Sequence, residues 1–391
     1  MRRAALAALA LAASACAAAG GPRATVRLQG FRYADSGGLS VTSDGVEVQQ
    51  PVGSGVAVRA SGLVEEITLP GSGAATGGDD GGGHQHLVAL SRARPDVVTS
   101  ASSIATVGGP GQKRRVEGNL SALAARRWGE VPVELEARFR TSQEPDYLSM
   151  GGTLHASADL LERNLTVSGF AGFGADTVSP TTKPAGQEAL WPAQHSRWNA
   201  GIAVTQLLSP ALALSAGASV NWQQGTLANP YRRALVVTTA FPESVPGERV
   251  RGTAFARLAW FLGAGTALHL RQGLYADDWG VRAVIPEVTL AKELGRSGLA
   301  LARARWYAQS PARFYQSSYA TIEPLMTGDV RLGRVQEALV GAELRYTLLG
   351  EPGAAGTLDL AASYDRATVR YPDVAVRTSA DIISAAVSAT F

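Results

Sequence analysis

Cysteine, lysine and charge in general are scarce in this chain. Its 391 residues include one cysteine, three lysines among 36 basic residues, and a charged fraction of only 18%. The single cysteine, Cys16, lies close to the N-terminus, so the remainder of the chain has neither a disulfide framework nor a cysteine metal site. So low a charged fraction disfavours a helical bundle, while 46% hydrophobic residues and 44 glycines argue against a disordered chain.

Long apolar runs and strong net charge are also missing. Beyond the N-terminal segment no stretch of about 18 apolar residues exists, so the sequence predicts no membrane-spanning helix. The net charge is +3, which leaves no strong field, and no nucleic-acid-binding motif is present. We therefore expect no nucleic-acid partner.

Residues 1–20 have the pattern of a signal peptide for export. Arg2 and Arg3 provide a positive start, residues 4–13 are apolar, and small residues follow that suit cleavage. An alternative is lipidation of Cys16, although Ala13 stands where lipoprotein signals usually carry leucine.

The rest of the chain repeatedly alternates apolar and polar residues in segments separated by glycine, proline, aspartate and serine. Segment 131–141 is the clearest, and 299–309 and 337–346 resemble it. Because successive strand side chains point to opposite faces, each segment predicts a strand with one apolar and one charged face. A soluble sandwich would also explain any one segment. The apolar face of the first segment consists of Val131, Val133, Leu135, Ala137 and Phe139.

Connection lengths favour a membrane barrel over a sandwich. Every second connection is short, whereas many of the others are long, as in transmembrane barrels. The sequence therefore predicts an all-β fold: a transmembrane antiparallel up-and-down β-barrel of about sixteen strands over residues 24–391, with short periplasmic turns and longer extracellular loops. The first long loop could also fold into the lumen as a plug. The long loops are 70–113, 176–196, 225–249 and 310–335.

The last segment supports the same location. Residues 381–391 alternate and end on an aromatic residue, Phe391, which resembles the C-terminal signal by which bacterial outer-membrane barrels are recognised for insertion. The expected location is the bacterial outer membrane, and the expected partners are its lipid and the insertion machinery.

Several motifs resemble the uncharacterised bacterial family catalogued as domain of unknown function 3570. The resemblance implies an exported outer-membrane β-barrel, and it implies no substrate or reaction. The stretches that carry it are 96–102, Asn229-Pro230-Tyr231, Tyr275-Ala276-Asp277-Asp278-Trp279-Gly280, Arg305-Trp306-Tyr307-Ala308-Gln309 and Phe314-Tyr315.

The polar faces of the predicted strands contain the candidate lumen-lining residues. Both signs of charge occur among them, so two interpretations stay open: the charges pair across strands and brace a wet interior, or they form a ladder that selects solutes. The candidates are Glu134, Glu136, Arg138, Arg140, His155, Arg271, Tyr275, Arg303, Arg305, Tyr307, Glu343 and Arg345.

Enzymatic and metal chemistry have weaker support. His155, Ser157 and Asp159 share one strand face, but residues two apart on a strand are nearly 7 Å apart, too far for a nucleophile and its base. His84 and His86 follow a glycine-rich run and are weak metal candidates, since their spacing matches no known site. We expect no catalysis and no cofactor.

The residues predicted to form a turn are Asp277, Asp278, Trp279 and Gly280, and in this turn Trp279 could anchor the barrel as part of an aromatic girdle at the membrane interface, or could contact a ligand or partner. The function favoured by the sequence is a pore or channel for an unidentified small solute. The alternative is a non-conducting docking or assembly component for a periplasmic or surface partner.

Overall fold

Eighteen β-strands account for nearly all of the regular structure in the computed structural model. The structure describes residues 24–36, 38–68, 112–180, 183, 186, 188–352 and 356–391. Within these residues four short 3-10 helices lie between strands, at Leu161–Arg163, Glu188–Leu190, Val330–Leu332 and Pro372–Val374. The strands are β1 Thr25–Asp35, β2 Ser40–Gly53, β3 Val56–Thr68, β4 Gln112–Trp128, β5 Val131–Glu144, β6 Tyr147–Leu160, β7 Leu165–Val178, β8 Ala193–Ser209, β9 Leu212–Gly225, β10 Arg233–Val236, β11 Thr239–Pro242, β12 Glu248–Gly263, β13 Thr266–Asp277, β14 Arg282–Leu294, β15 Gly298–Gln309, β16 Val335–Leu349, β17 Thr357–Tyr371 and β18 Val376–Thr390.

Sixteen of these strands form one closed barrel, which confirms the predicted fold. Each strand pairs antiparallel with its neighbours in the chain, except that β9 pairs directly with β12. The two strands left out, β10 and β11, form a hairpin of their own. Pairing of β1 with β18, from Thr25↔Thr390 to Asp35↔Ala380, closes the barrel without an exposed edge.

The two ends of the barrel differ in the length of their connections. At the short-turn end, strands are joined by tight turns such as 54–55 and 264–265. Strand β1 begins at this end and β18 finishes there. The Gly55 turn requires glycine, because its φ is +76° and a Cβ atom would collide with the carbonyl of Ala125. The opposite, long-loop end has segments 179–192, 226–247 and 310–334.

The outer face of the barrel is apolar and open, whereas the inner face is polar and crowded. Phe139 and Val340 on the outer face are 49% and 57% exposed, while Arg303 on the inner face is only 7% exposed. A Cβ atom added at inward Gly172 would lie 2.6 Å from Asn199 Oδ1, since side chains converge on a concave surface. Within the described residues no helix is long and apolar enough to cross a membrane.

Candidate functional site

The twelve predicted lumen residues all lie on the inner face of the barrel. Strand register places them there, because each pairs laterally with other inward residues and alternates with exposed apolar ones, as Arg138 does with Phe139. Their part in solute passage stays a prediction. They are Glu134, Glu136, Arg138 and Arg140 on β5, His155 on β6, Arg271 and Tyr275 on β13, Arg303, Arg305 and Tyr307 on β15, and Glu343 and Arg345 on β16.

Several of these arginines are held in ion pairs along the wall. Arg140 reaches Glu117 on β4 at 2.7 Å, and Arg138 pairs at 2.9 Å with Glu136 of its own strand. On the other side of the barrel, Arg305 lies 2.5 Å from a Glu337 carboxylate that is almost fully buried. Pairing therefore occurs both across strands and along them.

Arg303 is at the centre of the most buried of these networks. Its guanidinium makes two hydrogen bonds to Asp365 on β17 and lies 3.3 Å from Glu343 on β16. To reach Asp365 it passes over Gly341, where a Cβ atom would collide with the Asp365 carboxylate. The sequence analysis missed Asp365. A glycine at an inward position between charged strands is the signal that could have revealed this contact.

The inner face of β12 and β13 is different, because two neighbouring arginines there have no acidic partner. Arg257 and Arg271 are directly opposite each other in the register of these strands. Neither forms an ion pair with any carboxylate in the described part of the chain, and both are exposed to the lumen. Arg257 instead contacts His269 Nδ1 at 3.1 Å, and the Arg271 guanidinium lies 5.3 Å from the centre of the Phe255 ring.

A second candidate region is the long-loop end, where segments 226–247 and 310–334 fold together. We call this structure the cap. The β10–β11 hairpin packs against Tyr319 and Met326 of the second segment. Backbone bridges join Val236 to Tyr319 and Ser244 to Met326. The cap is thus a packed unit with its own apolar core.

A buried polar cluster fastens the two segments of the cap. Asp329 forms ion pairs with Arg232 at 2.5 Å and Arg331 at 3.1 Å, and Glu243 accepts hydrogen bonds from the Thr327 hydroxyl and the Asn229 backbone amide at 2.7 Å. Burial raises the pKa of Glu243. Burial acts in the same direction on Asp329, but Arg232 and Arg331 outweigh it, so the pKa of Asp329 is lowered.

The cap extends over the mouth of the barrel. Gln309 at the end of β15 donates hydrogen bonds to the carbonyls of Arg331 and Gly333 at 2.5 and 2.8 Å. On the far side, Tyr231 of the cap lies against Lys113 of β4, whose ammonium nitrogen is 5.5 Å from the ring centre. Because β4 and β15 are distant in the strand order, these contacts place the cap across the opening.

The Asp277–Gly280 turn forms as predicted, but Trp279 is not a girdle residue. Asp277 binds Arg249 at 2.5 Å and accepts the Tyr275 hydroxyl at 2.7 Å. The Trp279 indole is 5% exposed, donates to the carbonyl of Glu248 at 2.8 Å and packs edge-on against Phe314 of the cap. A girdle residue would face lipid, so this part of the prediction is wrong: Trp279 joins the wall to the cap.

The remaining candidates are the residues considered for catalysis and for metal binding. His155, Ser157 and Asp159 lie along one strand, and Asp159 accepts the Thr166 hydroxyl at 2.8 Å. In the part of the chain that the structure describes, no group of three potential metal ligands comes together.

Phe391 is exposed next to β1, and its amide donates to the Ala24 carbonyl at 2.9 Å. Its role in insertion stays a prediction. The expectations for residues 1–20, Cys16, His84, His86 and most of loop 70–113 lie outside the described residues.

Fold and wall together define a class: a closed sixteen-stranded antiparallel barrel with an apolar exterior, a charged interior and a folded cap at one end. Residues 85–360 match the family described as "Protein of unknown function (DUF3570)", and the chain belongs to that family. No curated protein matches it. Of the motifs that carry the family resemblance, those at 229–231, 275–280, 305–309 and 314–315 all lie at or near the cap.

Solved structures with a similar fold include a secretin and two receptors. A bacterial polysaccharide outer membrane secretin is 12% identical with a TM-score of 0.49, covering 94% of this chain and 98% of that one. The siderophore receptor PirA from Pseudomonas aeruginosa is 11% identical with a TM-score of 0.42, over 89% of this chain and 56% of the receptor. A mutant of the ferric enterobactin receptor PfeA from Pseudomonas aeruginosa is 12% identical with a TM-score of 0.45, over 90% of this chain and 54% of the receptor. The chain spans about half the length of these receptors.

Proposed function

We propose that this protein is an outer-membrane pore for a small polar solute, and that the cap closes its extracellular mouth. The observation that carries the proposal is the barrel wall itself: a charged inner face and an apolar outer face on sixteen closed strands. Barrels of this size usually enclose an aqueous channel. The proposal includes no enzymatic activity.

The apolar outer face supports the part of the proposal that concerns insertion in the outer membrane. In lipid every backbone N–H and C=O group must be paired, and the surface that contacts lipid must be apolar. A closed barrel satisfies the first condition, and outward Phe139, Leu154 and Val340 satisfy the second. The protein should fractionate with outer membranes and migrate faster on gels when it is not heated. Recovery as a soluble periplasmic protein would contradict the proposal.

The cap makes the proposed pore a gated one. Its buried contacts, such as the Asp329–Arg232 ion pair, hold two loops together across the mouth. Removing one charge of such a pair leaves the other buried and unpaired, which is destabilising. We therefore expect Asp329→Asn to loosen the cap and raise the open probability in planar bilayers above that of the unmodified protein.

Ile322→Ala provides the matched control, because this side chain lies in the same loop but is 64% exposed. It should leave the conductance events unchanged. If neither the unmodified protein nor Asp329→Asn conducts, although both are folded and inserted, the pore proposal fails.

A docking function is the second candidate, and one observation favours it. The cap exposes apolar side chains at its surface, Leu235 at 42%, Val237 at 64% and Ile322 at 64%. Exposed apolar groups on a folded loop structure can bind a partner. Docking would be favoured over transport if no variant conducts and if Val237→Ser loses the ability to bind its partner at the cell surface.

A further inference from the structure

We infer that Arg257 and Arg271 form an anion-binding site in the barrel lumen, which takes small solutes with a phosphate or carboxylate group. The inference rests on the proposed pore function and names its substrate class. Directly opposed residues on neighbouring antiparallel strands have Cβ atoms about 4.5–5.5 Å apart. Arg257 leans toward His269 and Arg271 toward Phe255, and because the two side chains start this close together, N–H donors of both guanidinium groups can reach one oxyanion in the lumen between them.

The missing counter-charge is the central observation. Two like charges side by side repel each other, and elsewhere on the inner wall a carboxylate offsets such repulsion, as Glu337 does for Arg305 and Glu117 for Arg140. At Arg257 and Arg271 no described carboxylate comes within ion-pair distance. An anion in the lumen would supply the charge that the wall does not.

Neutral contacts hold both guanidinium groups in place. Arg257 uses one N–H group on His269 Nδ1, and Arg271 lies over the Phe255 ring. That ring lies over Gly217, which leaves room for it: a Cβ atom there would be 2.7 Å from Phe255 Cε1. Neither contact neutralises the positive charge, so the N–H groups not used in them keep their attraction for anions.

The wall around the site is also positive. The inner faces of β12 and β13 carry Arg249, Arg251, Arg257 and Arg271 against one carboxylate, Asp277, which is already paired with Arg249. Arg251 lies toward the cap, about 20 Å from Arg257 at the usual rise per strand residue. Its Nε atom has no hydrogen-bond partner among the described residues. An anion that passes the cap would therefore meet Arg251 before it reaches Arg257.

One neighbouring carboxylate has to be considered. Glu287 on β14 lies beside Arg271 in the register, and beside Arg305 on its other side. It forms no ion pair with Arg271, but its charge still weakens the local positive field. Glu287→Gln should therefore strengthen anion binding, while loss of the two arginines should weaken it.

Two measurements on the full-length protein test the inference. Titration calorimetry of the detergent-solubilised barrel with inorganic phosphate, and separately with succinate, reports binding without requiring conduction. Reversal potentials across a KCl gradient in planar bilayers report anion selectivity. The double variant Arg257→Ala/Arg271→Ala should weaken binding of the preferred anion by about tenfold or more, given the usual strength of charged hydrogen bonds. It should also shift the reversal potential away from the chloride equilibrium value.

A second double variant controls for the loss of two charges. Arg138→Ala/Arg345→Ala also removes two inner-wall arginines, but both of these have carboxylate partners at 2.9 and 2.6 Å. It should leave anion binding unchanged, and gel mobility before heating shows that each variant is folded. The phosphate and succinate titrations distinguish the two oxyanion types.

The outcomes separate the site from the pore. If the protein conducts but both double variants bind anions and select ions like the unmodified protein, the anion site is wrong and the pore stands. If it does not conduct, yet only Arg257→Ala/Arg271→Ala loses binding, the pore is wrong and the site stands. Absence of phosphate and succinate binding by the unmodified protein would overturn the site directly.

Discussion

The inner faces of β15–β17 and of β12–β13 carry similar residues in opposite arrangements. On β15–β17, Arg303, Arg305 and Arg345 each have a carboxylate within 3.3 Å. On β12–β13, Arg257 and Arg271 lie side by side without one. Arginine content alone therefore does not distinguish a structural wall from a binding wall, whereas the placement of carboxylates does.

Burial differs between the two regions in the same way. Arg303 and Asp365 are 5% and 6% exposed in their side chains, while Arg257 and Arg271 face the lumen. A buried ion pair depends on both partners, since either one alone is left as an uncompensated charge. A lumen-exposed arginine is solvated by water and can be removed at little cost.

The largest expected effect follows from removing the paired arginine. Arg303→Ala leaves the buried Asp365 carboxylate without its cation, while Glu343 keeps Arg345, so we expect a loss of about 3–5 kcal/mol in the free energy of unfolding. Urea unfolding of the micelle-inserted barrel measures it.

The double variant Arg303→Met/Asp365→Leu removes both charges together and should recover most of that loss, because no buried charge is left unpaired. A small effect of Arg303→Ala alone would show that the pair is solvated and that the two regions are alike.

The next effect tests the outer face of the same strand. Ala304 faces outward between Val288 and Val340 in the register, next to inward Arg303. Ala304→Arg should cost about 2–4 kcal/mol if this surface lies near the middle of the membrane. The measurement is the same urea unfolding, with Ala304→Val as an apolar control. Equal tolerance of the arginine and the valine would contradict the lipid-facing assignment.

A somewhat smaller effect is expected at the glycine that lets Arg303 reach Asp365. Gly341→Ala places a Cβ atom against the Asp365 carboxylate and 2.8 Å from the Tyr364 carbonyl, so overpacking should cost about 1–3 kcal/mol. Gly152→Ala on the outer face is the control, because its Cβ atom would be 3.7 Å from the nearest atom and should be tolerated. Similar unfolding midpoints for the two variants would exclude a role for Gly341 in spacing the ion pair.

The barrel could be predicted from sequence because its rules are local. Alternation along one strand and the length of each connection both depend on residues that are close together in the chain, and both appear in the closed sheet. The same alternation placed Arg138, Arg303 and Glu343 on the inner face.

The partners of those side chains could not be predicted in the same way. Asp365 meets Arg303 across an intervening strand, and Lys113 meets Tyr231 across the mouth, so both contacts depend on closure of the whole barrel. Trp279 shows the same limit: an aromatic residue in a turn looks like an interfacial anchor until the cap that covers it is seen.

The smallest effect on stability is expected in the unpaired region, and it completes the comparison. Arg257→Ala and Arg271→Ala remove exposed charges that no carboxylate needs, so each should change the free energy of unfolding by less than about 0.5 kcal/mol. Relief of the repulsion between the two cations could make the change slightly stabilising. The measurement is the same urea unfolding used for Arg303→Ala, in buffer free of phosphate and carboxylates, because a bound anion would add stability to the unmodified protein alone. With added phosphate, the unmodified barrel should gain stability and the two variants should not. A loss of several kcal/mol in the anion-free buffer would mean that these arginines stabilise the wall as Arg303 does, and it would contradict the distinction between a structural wall on β15–β17 and a binding wall on β12–β13.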